Sequence, residues 1–79
     1  MVYFVYMLLC ADGSFYLGST NNIEKRFAAH KAGKGASYTR SHHPMKVVYQ
    51  EDLPDKSAAL RREAVLKKLS HLQKEKLVN

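Results

Sequence analysis

The chain has 79 residues, 46% of them hydrophobic and 25% charged. This ordinary globular composition argues against global disorder, and the length suits one domain over residues 1–79 with no room for a repeat array or a cofactor fold. The net charge of +6 favours an anionic partner, and nucleic acid is the commonest one.

Cys10 is the only cysteine, which excludes an internal disulfide and a multi-cysteine zinc site. No apolar run is long enough to span a membrane, and no basic region precedes the apolar N-terminus as in a signal peptide. A reducing, cytoplasmic setting with no membrane partner is the expectation. The charge is unevenly spread. No Asp or Glu lies between Glu24 and Glu51, a stretch that holds Lys25, Arg26, Lys31, Lys34, Arg40 and Lys46. A solvated basic surface would explain it. A phosphate-binding face explains it better, because a carboxylate there would repel a nucleic-acid backbone.

Val2 to Cys10 is almost wholly apolar and rich in β-branched and aromatic residues, as in a strand buried on both faces. Ala11-Asp12-Gly13 is a hairpin turn, and Phe15 to Thr20 is the partner strand. Asn21 offers an N-cap, with Glu24 as its capping-box partner, for a helix from Asn22 to Lys31. Residues 32–41, with Gly33, Gly35 and Ser37, read as a loop, and Met45 to Gln50 as a short strand. Pro54-Asp55 opens a second helix reaching Leu69, and Ser70 with Gln73 boxes a short last one. The order ββαβαα predicts an α+β fold: a small three-stranded antiparallel sheet flanked by helices.

Buried strand tyrosines are usually core residues, but register makes Tyr6 and Tyr16 more interesting. A two-residue Asp12-Gly13 loop would put them on opposite faces. A three-residue loop with Gly13 in the left-handed position pairs Tyr6 with Gly18 and Tyr16 with Leu8. Both rings then share one face, and Gly18 leaves a gap where a substrate can approach Tyr6. Arg26 and His30 are one helical turn apart at the edge of the buried face. The guanidinium fork suits a phosphate, while a snorkelling Arg and a rim His are the structural alternative. Glu63 falls within an apolar arc of its helix, where a carboxylate needs a metal or a salt bridge. Asp12 reads as turn chemistry, and His42-His43 as loop or phosphate contact.

In this order and spacing the residues resemble the GIY-YIG nuclease domain, most closely its short stand-alone bacterial members. Phe4-Val5-Tyr6 stands for the first motif, with Phe4 replacing its glycine, and Tyr16-Leu17-Gly18 for the second. Arg26 stands at the family's arginine position, His30 at one held by His or Tyr, and Glu63 at the metal-binding glutamate. The late asparagine of some members has no counterpart short of Asn79. The resemblance implies an endonuclease hydrolysing phosphodiester bonds in DNA, structure-specific or in DNA repair, with RNA left open. Glu63 would then hold Mg²⁺ or Mn²⁺, and Arg26 would stabilise the phosphate charge. A tyrosine would accept the water's proton once a cation such as Arg26 had lowered its pKa. Tyr6 is favoured as that base, with Tyr16 and His30 positioning phosphate or relaying protons. Lys25, Lys31, Lys34 and Arg40 are the expected backbone contacts. A nucleic-acid-binding module without turnover, or one that needs a partner, is the main alternative.

Overall fold

The run from residue 3 to residue 10 has apolar side chains on both sides of its pleat, so it must lie between two layers. In the computed structural model, which describes residues 2–78, it does. Strand β1 (Tyr3–Cys10) is the central strand of an antiparallel sheet with order β2-β1-β3, flanked by β2 (Phe15–Thr20) and β3 (Pro44–Leu53). The helices are α1 (Ile23–Lys31), α2 (Ser37–His42), α3 (Lys56–Lys67) and α4 (His71–Val78).

On one face of the sheet Val5, Met7 and Leu17 pack with Ala59 and Leu66 of α3. Leu69 and Leu77 close the edge of this core. On the other face Tyr6 and Tyr16 meet His30 of α1, and Thr39 of α2 is buried behind it. The architecture is α+β, as expected.

The hairpin has the three-residue loop. Gly13 sits at φ +86°, its N–H donates to Cys10 O, and the Cys10 N–H donates to Ser14 O. Asp12 serves the turn by accepting from the Ser14 N–H and hydroxyl at 3.0 and 2.6 Å. Tyr6 therefore pairs with Gly18 and Leu8 with Tyr16, and both tyrosines share a face.

Three expectations change. The cap of α1 is Asn22, which accepts from Lys25 N at 3.0 Å, one residue beyond the expected Asn21. Thr20 causes the shift: its hydroxyl accepts the Asn22 N–H at 3.1 Å and holds that residue extended. Second, part of the expected loop coils into α2, giving the order ββααβαα. This helix has no side-chain cap and depends on the packing of Tyr38 and Thr39. Third, β3 runs past both expected ends, with register irregularities between Met7 and Leu8 and between Leu9 and Cys10. The opening of α3 at Asp55 and the Ser70–Gln73 box are as expected.

Candidate active site

Tyr6 and His30 lie far apart in sequence and touch because the His30 ring reaches from α1 to the central strand. The Tyr6 hydroxyl is 2.8 Å from His30 Nε2. His30 Nδ1 is 2.7 Å from Thr39 Oγ1, and the Thr39 hydroxyl donates to Ala36 O at 3.1 Å. Tyr6, His30 and Thr39 are only 2%, 1% and 1% exposed. Two glycines make the arrangement fit. A Cβ on Gly18 would lie 2.6 Å from Tyr6 Oη, and one on Gly35 would lie 2.6 Å from His30 Cε1. The space opposite Tyr6 is thus not the substrate gap expected at Gly18; the Tyr6 ring fills it.

Tyr16 sets its ring against His30, with centroids 5.1 Å apart and planes at 61°. On its far side it stacks on Tyr38, which lies 3.8 Å from the His42 ring and nearly parallel to it. His42 thus belongs to a helix and an aromatic stack, and its nearest anion is Asp12 at 3.9 Å.

Arg26 is exposed, one turn before His30. Burial holds the His30 imidazolium below its usual range, and Arg26 pushes the same way. For Tyr6 the expected lowering is reversed. Burial pushes its phenol well up, with Tyr16 and Glu63 adding to the rise, and the pull of Arg26 is too small to offset it.

Lys25, Arg26 and Lys34 line one shallow cleft with Thr20, Asn21 and Asn22. Lys31 and Arg40 line a second, which His30 and Thr39 also border. The cations expected to hold a backbone therefore line two clefts, one bordered by His30 and one by Arg26 and Ala29 of the same helix. Lys46, from the same acid-free stretch, lies elsewhere, beside His71 and Glu75.

Glu63 faces inward on α3, as its wheel position implied, and its side chain is 16% exposed. It stands outside the Tyr6–His30–Thr39 chain but within electrostatic reach of Tyr6. Its Oε2 pairs with Lys67 Nζ at 2.8 Å, so the salt-bridge alternative is realised too. The Lys67 ammonium is more than half exposed and can swing away. Among the described residues no three His, Cys, Asp or Glu side chains converge as a metal cage. One inward carboxylate fits an ion such as Mg²⁺, which takes one or two carboxylates and fills its shell with water and substrate phosphate. Asn79 lies outside the described residues.

The family model of the GIY-YIG catalytic domain matches residues 2–76. The chain belongs to the GIY-YIG family. Members of this family are typically endonucleases acting on DNA with divalent metal ions. A UPF0213 protein of Natronomonas pharaonis is 49% identical over 96% of this chain and 89% of its own length. One of Staphylococcus haemolyticus is 47% identical over 96% and 93%. The solution structure of a UPF0213 protein from Bacillus halodurans superposes with a TM-score of 0.61 at 44% identity, covering 99% of this chain and 83% of that one. A protein from E. faecalis gives 0.65 at 40%, covering 96% and 81%. These names state no activity. No helix among the described residues is long and apolar enough to cross a membrane.

The sequence assigns no role to Thr39, Gly35 or Tyr38, although the segments Gly33-Lys34-Gly35-Ala36 and Tyr38-Thr39-Arg40 are similar to those of the short stand-alone members. Thr39 gives no local signal, because its partner His30 is fixed by the fold. Gly35 had one, a second glycine close after Gly33, but it fitted a loop equally well.

Proposed function

We propose that this chain is a divalent-metal-dependent endonuclease that hydrolyses phosphodiester bonds in DNA, with branched, nicked or single-stranded repair substrates as those to screen. The observation that carries the reading is the buried Tyr6–His30 hydrogen bond, whose His30 borders a cleft lined by Lys31 and Arg40, with Arg26 one turn away. In hydrolysis the water oxygen bonds to phosphorus, the P–O bond to the leaving oxygen breaks, and the water sheds a proton. Tyr6 takes that proton on Oη as it passes its own to His30 Nε2, 2.8 Å away. No phenolate forms, so the raised pKa of Tyr6 is no barrier. His30, held below its usual pKa, returns the proton to solvent, and the leaving oxygen collects one.

Arg26 places its fork on the non-bridging oxygens as charge builds there. Tyr16 walls the site beside His30. Lys25, Lys31, Lys34 and Arg40 hold the flanking backbone. Glu63 would hold Mg²⁺ or Mn²⁺, which when bound would supply Lewis-acid stabilisation to the phosphoryl group.

One observation favours the rival reading of a binding module, namely the Glu63–Lys67 ion pair. The test is a panel of labelled duplex, nicked, branched and single-stranded DNA and RNA, incubated with Mg²⁺, Mn²⁺ or EDTA. The endonuclease reading expects metal-dependent cuts that Tyr6→Phe lowers by about 10²-fold or more, with a smaller effect from Tyr16→Phe. Binding without cleavage under every condition makes the chain a binding module.

A further inference from the structure

We infer that Thr39 is a positioning residue that holds His30 as its Nδ1–H tautomer and so fixes the Tyr6 hydroxyl as a donor into Nε2. The inference rests on the endonuclease reading for its consequence in catalysis, and on hydrogen-bond geometry for the tautomer itself. A threonine hydroxyl has one proton. Thr39 donates it to Ala36 O at 3.1 Å, a bond back to the cap residue of its own helix. Toward His30 Nδ1, 2.7 Å away, Oγ1 can then only accept, so Nδ1 carries the ring proton. A neutral imidazole has one such proton, which leaves Nε2 as a lone pair. Tyr6 is the group facing that lone pair, and its hydroxyl donates into it at 2.8 Å.

Two further observations support this assignment. Gly35 packs against the ring so tightly that a Cβ on it would collide with Nδ1, Cε1 and Cγ. A water competing for Nδ1 has no room there. Among the described residues no buried side-chain nitrogen or oxygen lacks a partner. The opposite tautomer would turn Nε2–H toward Tyr6 and deprive the phenol proton of His30 as its acceptor.

The direction of the chain is what gives it a use. With Tyr6 O–H aimed at His30, the Tyr6 oxygen keeps its own lone pairs for the attacking water. Reversed, the oxygen would be occupied by Nε2–H and could not pass a proton to the ring. Thr39 touches neither substrate nor metal in this account and acts only through His30.

The experiment compares wild type, Thr39→Val and Thr39→Ser. Val keeps the branched shape without the hydroxyl, and Ser restores the hydroxyl should Val fold poorly. Long-range ¹H–¹⁵N correlations on ¹⁵N-labelled protein identify which His30 nitrogen is protonated, independently of cleavage. The expected result is protonated Nδ1 in wild type and Thr39→Ser, and a shift toward protonated Nε2 in Thr39→Val. In cleavage assays Thr39→Val should lose about tenfold to a hundredfold in kcat at unchanged KM, and Thr39→Ser should recover most of it. Protonated Nε2 in wild type overturns the inference, as does a Thr39→Val protein with wild-type ring signals and wild-type kcat. If wild type cleaves nothing, the nuclease reading and the catalytic role of Thr39 fall together, while the ring signals still decide the tautomer.

Discussion

Replacing Gly18 by alanine adds a single methyl group on β2, a change that is usually mild or helpful in a strand. Here the new Cβ would lie 2.6 Å from Tyr6 Oη and 2.8 Å from Cζ, closer than any real Cβ contact. Tyr6 is 2% exposed, so its ring has little space to retreat into. Overpacking of this kind costs about 1–3 kcal/mol. Displacing the hydroxyl from His30 removes a buried hydrogen bond worth about 1 kcal/mol. Restricting the unfolded chain returns about 0.5–1 kcal/mol. The net loss is about 1–3 kcal/mol, and a domain of this size loses ~4–8 °C in Tm per kcal/mol. Thermal unfolding of four proteins forms the assay: wild type, Gly18→Ala, Tyr6→Phe and the double variant. Tyr6→Phe removes the atom nearest to the clash, so Gly18→Ala should cost less in that background, with a coupling of about 0.5–1.5 kcal/mol. A Gly18→Ala protein that melts with wild type, or strict additivity in the cycle, would refute the claim that Gly18 exists to seat Tyr6.

Glu63→Ala should lose orders of magnitude in cleavage while its Tm changes little. The i,i+4 pair it breaks leaves Lys67 more than half exposed and is worth on the order of 0.5 kcal/mol; a large drop in Tm with modest activity loss would make Glu63 structural. DNA affinity should fall steeply with salt, and Lys25→Ala and Lys34→Ala should each reduce the slope of log K against log[salt] by roughly 0.7–0.9, whichever sequence is bound. Filter binding across a salt series measures this, and a flat slope excludes backbone contacts. His30 is buried neutral with its pKa lowered, so the unfolded chain binds the extra proton first as pH falls. The stability it contributes is whole above the unfolded pKa of about 6.5 and declines as pH drops from there toward the folded value. Urea unfolding at several pH values should show this decline in wild type and lose it in His30→Gln.

What could be read from the chain and what could not divide along physical lines. Gly13 announced the loop length, and the period of two then placed Tyr6 and Tyr16 together without any tertiary information. Asp55 and Ser70 are local capping signals, and they hold. Arg26 and His30 were found by helical spacing, yet nothing local says that burial outweighs Arg26 at Tyr6; that balance exists only once α1 covers the sheet. Helix α2 escaped for a similar reason. Six residues among glycines and serines have little intrinsic helicity, and the turn persists because Tyr38 stacks and Thr39 bonds across to α1. Thr39 and Gly35 matter through their contacts with His30, so the close pair Gly33 and Gly35 reads only as a loop and nothing beside Thr39 names its partner.

The strand order also bears on how the molecule assembles. β1 reaches β2 across one tight turn, whereas its other edge waits for β3, whose Pro44 and Leu53 pair with Cys10 and Tyr3 at the far end of a long excursion through α1 and α2. Closing that excursion carries the larger entropy cost and makes it the slow event. The expected order is that the hairpin forms first and brings Tyr6 over Gly18 before α1 docks with its imidazole. The two halves of the hydrogen-bonded pair would then belong to different stages of folding. Mutations in the Ala11-Asp12-Gly13 turn should slow refolding, while those at the α1–α2 contact should chiefly hasten unfolding.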